Sequence, residues 1–168
     1  MLLGLDIGSS SIKAALVDSQ TGKCISTATA PQEEMPIDAL QTGWAEQHPD
    51  LWWKYVVEAI ETIKKSYPDQ LSAVRAIGIS YQMHGLVCVD DAGKPVRPSI
   101  IWCDSRAVEY GAKAFNKMGS SWCLEHLLNS PGNFTASKLK WVKENEPQLF
   151  KSVKHFMLPG DYIAYRLT

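Results

Sequence analysis

The sequence predicts a mixed α/β domain in which strands flank a long helix. Three observations carry that expectation. Residues 1–18 hold two apolar runs, Leu2-Leu3-Gly4-Leu5 and a second one with Lys13 inside it, separated by Gly8-Ser9-Ser10-Ser11. That pattern reads as two strands joined by a turn. From Leu51 to Ile63 the residues Leu51, Trp52, Tyr55, Val56, Ala59, Ile60 and Ile63 recur at helical spacing, so one face of a helix is core. Val74–Ser80 is a nearly all apolar stretch of strand length. Strands, then a helix, then more strands give the α/β class.

The remaining elements follow in order. Lys23–Ala30 reads as a third strand, set off by the turn Asp18-Ser19-Gln20-Thr21-Gly22. Residues 31–47 form a loop with prolines, acids and Trp44, and the long helix starts at Pro49, a residue suited to the first helical position. Trp52 and Trp53 read as packing residues on that helix. The strand over Val74–Ser80 is expected to be buried on both faces, because apolar runs without alternation are typical of inner strands. Tyr81-Gln82-Met83-His84-Gly85 interrupts it, and Leu86–Val89 resumes as a fifth strand. After the turn Asp91-Ala92-Gly93-Lys94, residues 95–98 lead into Ile100-Ile101-Trp102. A helix is expected over Ser105–Met118, an irregular or weakly helical stretch over Gly119–Asn133, and a helix over Thr135–Asn145 that ends before Pro147. His155–Leu158 reads as a short strand and Asp161–Thr168 as a short helix, which stops with no glycine cap or polar tail. The chain is therefore expected to be a piece of a longer protein.

Composition narrows the function classes. The chain has 168 residues, enough for one domain or a little more, with 45% apolar and 21% charged residues. A formal charge of −1 with interspersed signs argues against a basic nucleic-acid surface or a polybasic membrane patch. No apolar run approaches membrane-spanning length, and the N-terminus enters a strand directly. Cys24, Cys88, Cys103 and Cys123 form no Cys-x-x-Cys pair, so neither a zinc site nor a disulfide framework is expected. His48, His84, His126 and His155 lack ligand spacing, so no protein-held transition metal is expected. Reduced thiols and a cytoplasmic location are the default.

Chemistry gathers at three strand ends, where α/β sheets usually hold ligands. At the first, the glycine and serines of the hairpin turn place N–H groups and hydroxyls in one concavity that suits phosphate oxygens. Asp6, at the end of the first strand, is placed to hold a hydrated Mg²⁺. Lys13 adds a positive charge if strand alternation points it the same way. No Gly-Lys-Ser/Thr follows, so the hairpin is not a P-loop. At the second end, Gln82 and His84 suit the hydroxyls of a polyhydroxylated ligand, and Met83 suits its C–H face. At the third, Trp102 offers an indole to a sugar ring, and Arg106 forks onto Asp104 or onto a ligand oxygen. Each has a plainer reading: an ordinary turn, a satisfied structural histidine, a core indole, and a helix cap braced by an arginine.

The matching residues resemble the FGGY carbohydrate kinase family. They are Gly4-Leu5-Asp6-Ile7-Gly8-Ser9-Ser10-Ser11, Gly43-Trp44-Ala45-Glu46-Gln47-His48-Pro49, and Gly78-Ile79-Ser80 with Gln82-Met83-His84-Gly85. Ile101-Trp102-Cys103-Asp104-Ser105-Arg106, Thr135-Ala136-Ser137-Lys138-Leu139-Lys140-Trp141-Val142 and Leu158-Pro159-Gly160-Asp161-Tyr162-Ile163 follow in family order. The resemblance implies an actin/ribonuclease H-like domain, a mixed sheet flanked by helices, incomplete at the C-terminus. Residues 1–168 would be the N-terminal part of the sugar-binding domain I, without the rest of that domain or the nucleotide-binding domain II. It implies phosphorylation of a pentulose by ATP and Mg, foremost D-xylulose to D-xylulose 5-phosphate.

Under the resemblance, Asp6, Gly8, Ser9, Ser10, Ser11 and Lys13 meet the ATP phosphates, and Asp6 meets Mg through water. Gln82, Met83 and His84 contact the sugar. The Met-His pair is the form found in xylulokinases, where glycerol kinases carry Arg-Glu. Trp102 and Asp104 lie near the sugar. The family's general base is an aspartate later in the first domain, so residues 1–168 are expected to be inactive alone. Exposed strand edges are expected to make this stretch a homo-oligomer or marginally stable. Sugar and ATP are the expected partners, without nucleic acid or membrane. The alternatives are a kinase for another ketose or sugar acid, a non-catalytic actin-like nucleotide-binding module, and a structural domain without a ligand.

Overall fold

Alternation along the first strand decides which face of the N-terminal sheet becomes core. The computed structural model describes residues 1–168. In chain order the strands are β1 (Leu2–Ile7), β2 (Ile12–Val17), β3 (Cys24–Ala30), β4 (Glu46–Gln47), β5 (Ala76–Tyr81), β6 (Val87–Val89), β7 (Ser99–Ile100) and β8 (His155–Met157). The helices are α1 (Pro49–Ser66), α2 (Pro68–Ser72), α3 (Val108–Met118), α4 (Ser120–His126), α5 (Thr135–Asn145), α6 (Pro147–Phe150) and α7 (Pro159–Leu167), with a 3₁₀ turn at Pro131–Asn133. The chain divides into two compact units. The first holds Met1–Pro36, Pro49–Gln82 and Pro159–Thr168, and the second holds Ile37–His48 and Met83–Leu158.

In the first unit the sheet order is β3-β2-β1-β5. β1 pairs antiparallel with β2, from Leu2↔Val17 to Ile7↔Ile12, and parallel with β5, from Leu2↔Ala76 to Ile7↔Tyr81. Leu3, Leu5 and Ile7 of β1 and Ile12, Ala14 and Leu16 of β2 are buried. The period-2 side chains meet the period-3.6 stripe of α1, whose Trp52, Val56, Ala59 and Ile63 are buried in turn. α1 lies on β2 and β3. α7 packs on α1 and β5 and buries Tyr162 and Ile163.

The expectation that the strand after α1 is buried on both faces is corrected. Four of the six β5 residues, Ala76, Ile77, Gly78 and Ser80, are exposed. β5 is an edge strand, paired to β1 alone, and α1 sits over β2 and β3 instead. Ile77 stands opposite Leu3 yet is 43% exposed, because the covering helix does not reach it.

In the second unit β6 pairs antiparallel with β8, and β4 with β7. Its core gathers Leu86, Cys88, Ile100 and Val142, with Leu139, Trp141, Leu149 and Phe150 packed against them. The helix over Thr135–Asn145 has the expected bounds, and the stretch expected to be irregular or weakly helical holds one short helix, Ser120–His126. Cys88 and Cys123 are buried and Cys24 and Cys103 exposed, and burial pushes the Cys88 thiol up to about 11. No helix is long and apolar enough to cross a membrane.

Candidate functional site

The hairpin turn is closed by the Gly8 N–H donating to the Ser11 carbonyl at 3.1 Å. A Cβ on Gly8 would lie 2.8 Å from that oxygen, so the turn requires a glycine. The Met35 N–H donates to the Ser10 carbonyl at 2.8 Å and braces the turn from the chain after β3. Ser9 and Ser11 stay partly open and Ser10 is exposed.

Alternation places Asp6 and Lys13 on the sheet face opposite α1. Their charged groups are 3.6 Å apart and about half exposed, at 49% and 62%. Register sets Ser80 beside Asp6 and Thr29 beside Lys13. Gly4, Ala15, Thr27 and Gly78 complete an open depression of about 700 Å³. A carboxylate at a strand end, next to a glycine-serine turn, fits a hydrated divalent cation and the phosphates it accompanies.

The sugar-contact candidates divide between the units. Gln82 ends the first, where its N–H donates to the Ile7 carbonyl at 2.9 Å. Both polar atoms of its side-chain amide are buried without a hydrogen-bond partner in the protein. An orphaned amide matches a ligand hydroxyl, which donates and accepts.

In the second unit Met83 is 64% exposed. His84 adopts a left-handed backbone, with φ at 61°. Its ring stacks on Phe134 with centroids 4.7 Å apart. Burial, and then the positive charge of Lys138, hold its imidazole below the usual range, so it is neutral at pH 7 with one donor and one acceptor nitrogen. Trp102 is 47% exposed, and its carbonyl accepts from the Asn133 side chain.

Asp104 is in a different state, 1% exposed. Its carboxylate accepts from the Ala45 N–H at 2.6 Å and the Arg106 N–H at 2.9 Å, and holds the Arg106 guanidinium in a fork of 2.7–3.0 Å contacts. Of the two partners the sequence allowed Arg106, the structure gives it Asp104. Arg106 also meets Glu46 at 2.6 Å and lies 3.8 Å over the Trp44 ring, which meets Trp141 edge-on at 5.3 Å. Arg97 meets Glu46 at 2.5 Å and Glu146 at 3.3 Å. Three separate stretches of the chain thus meet in one buried knot of charges and indoles, where every ion has an opposite partner.

Sequence reasoning assigned no role to Glu46, Arg97 or Lys138. Lys138 carried a usable signal, since it lies four residues before the buried Val142 on the inner face of α5. Its ammonium donates to the His84 carbonyl at 2.8 Å and the Asn133 carbonyl at 3.1 Å. Burial brings its pKa down to about 8, against the pull of Asp104 and Cys103.

A profile of the N-terminal domain of the FGGY family of carbohydrate kinases matches residues 1–168. A curated xylulose kinase of Bacillus subtilis (strain 168) is 33% identical over 172 residues, covering 99% of this chain and 33% of its relative. The crystal structure of a xyloylose kinase from Brucella ovis superposes with a TM-score of 0.85 at 35% identity, over 96% of this chain and 33% of that one. A gluconate kinase from Lactobacillus acidophilus has the same fold, with a TM-score of 0.83 at 24% identity over 98% of this chain and 32% of that one. The chain spans about a third of the length of the curated relatives it matches.

Proposed function

The chain belongs to the FGGY family of carbohydrate kinases, and we propose that the whole protein transfers the γ-phosphoryl group of ATP to D-xylulose, giving D-xylulose 5-phosphate. The observation that carries the choice of substrate class is the stretch Gln82-Met83-His84. It sets an orphaned amide, an exposed thioether and a neutral imidazole in consecutive positions. This is a set for hydroxyls and C–H faces, with no formal charge for a charged substrate. The xylulose kinases among the relatives support the same reading.

In this reading the N–H groups and hydroxyls of Gly8–Ser11 receive the phosphate oxygens, with Lys13 adding positive charge. Asp6 holds hydrated Mg²⁺, which neutralises charge on the phosphates when bound. Gln82 and His84 orient sugar hydroxyls, and Met83 and Trp102 cover the C–H face. We place Asp104 behind Trp102, as the brace of its loop through Arg106, and not against the sugar. Residues 1–168 form the N-terminal part of the sugar-binding domain. The base that takes the proton of the attacking hydroxyl lies outside them, so this stretch alone does not turn over. The protein acts in the cytoplasm.

The test is a substrate panel on the whole protein with ATP and Mg²⁺. D-xylulose is expected to give the highest kcat/KM, above other ketoses, gluconate and glycerol. A higher kcat/KM for gluconate or for another ketose would replace xylulose while leaving the kinase assignment in place.

A further inference from the structure

We propose that Lys138 is a positioning residue for sugar recognition: its buried ammonium ties the Met83–His84 turn to the chain that carries Trp102. The claim rests on the assignment of those residues to the sugar, and on geometry that is independent of it.

Lys138 is fully buried on α5, and its Nζ donates to the His84 carbonyl at 2.8 Å and to the Asn133 carbonyl at 3.1 Å. The Asn133 side chain in turn donates to the Trp102 carbonyl. The two candidate sugar-binding segments of the second unit therefore hang from one ammonium, through one and two hydrogen bonds.

The turn needs such a hold. His84 has φ at 61°, a left-handed conformation that side chains other than glycine adopt reluctantly. Three groups from the start of α5 and the residue before it oppose its relaxation. Lys138 holds the carbonyl of His84, the Thr135 hydroxyl donates to the Gly85 carbonyl at 3.3 Å, and the Phe134 ring lies under the imidazole. Of these the ammonium is the least replaceable, because a charged donor makes the stronger hydrogen bond and a buried one has no water to turn to. Met83, the residue before, is left 64% exposed by the same arrangement. A buried lysine whose hydrogen bonds end on carbonyls of two loops serves to set loop conformation. A neutral methionine of similar volume would serve packing alone.

The experiment compares the whole protein with its Lys138→Met, Lys138→Arg and Thr135→Val variants. Met keeps the packing volume and removes both bonds, and Thr135→Val removes only the Gly85 bond should the lysine variants fail to fold. Two readouts are taken on each, the KM values for D-xylulose and for ATP, and the ¹H–¹³C resonances of the His84 ring, which report its stacking on Phe134. The proposal expects Lys138→Met to raise the sugar KM at least tenfold with the ATP KM within twofold, and to shift or broaden the His84 ring signals. Thr135→Val should do the same more weakly. Equal rises in both KM values, or an unchanged sugar KM with unchanged His84 signals, would overturn it. If the parent phosphorylates no pentulose, the functional reading fails, and the His84 signals alone decide whether Lys138 sets the turn.

Discussion

Asp6 and Lys13 face each other across a cross-strand pair, carboxylate to ammonium 3.6 Å apart, on the face of the sheet that α1 does not cover. An ion pair as exposed as this one adds little to stability. In the proposed function its placement beside the Gly8–Ser11 turn matters instead, with Asp6 turned to the hydrated cation and Lys13 to the phosphate oxygens. Asp6→Asn in the whole protein is expected to lower kcat by about 100-fold or more, in the range seen when one preorganised electrostatic contact is lost. Its melting temperature should stay close to that of the parent. Steady-state kinetics with a Mg²⁺ titration and a thermal melt check both halves.

Tyr162 ties α7 to α1. Its hydroxyl donates to Asp50 at 2.6 Å and accepts from Arg166 at 2.8 Å. Burial, then the bond to Asp50, push its pKa from the ordinary 10.0 up to about 12. The folded state therefore keeps a proton that the unfolded chain loses first. The stabilisation is complete below pH 10, and is lost as pH rises from there through about 12. Tyr162→Phe should cost about 1 kcal/mol at pH 7 by loss of a hydrogen bond. The gap to the parent should close as pH passes through that window. Denaturant unfolding at several pH values measures it.

Gly160, in the first turn of α7, lies directly against the Tyr81 ring of β5, where a Cβ would overlap the ring carbons. Gly160→Ala must push the helix off the strand or rotate the ring. An overpacking cost of about 1–3 kcal/mol is expected, read as a lower denaturant midpoint.

The edge strand gives an association prediction. β5 offers one unpaired backbone edge with Ile77 exposed beside it. Residues 1–168 in isolation should self-associate as concentration rises, and Ile77→Lys should weaken this. Sedimentation velocity over a concentration series decides, and a monomer at every concentration would contradict it.

The strands and helices were legible where one period ruled. α1 showed regular helical spacing, and the β1–β2 hairpin showed two apolar runs around a glycine turn. Burial of β5 was misread because an apolar run reports β-propensity, whereas burial depends on where α1 lands, which the strand's own residues do not encode. β4, α2 and α6, of two to five residues, are too short to show a period. At the site, Asp6, the turn and Gln82-Met83-His84 stood out because polar groups at strand ends are conspicuous. Around Asp104 only Arg106 was legible, since Ala45 reaches the carboxylate, Glu46 reaches Arg106 and Arg97 reaches Glu46 from elsewhere in the sequence through tertiary structure. Lys138 stays hidden in the sequence, because a lysine in a helix reads as solvated until its burial is known.

The central claim, transfer of phosphate from ATP to a pentulose, is tested most directly by ³¹P NMR of the whole protein incubated with ATP, Mg²⁺ and D-xylulose. The account predicts one sugar phosphomonoester resonance, matching D-xylulose 5-phosphate, that grows in step with ADP and is absent without the sugar. ADP and inorganic phosphate without a sugar phosphate, or no consumption of ATP, would contradict it.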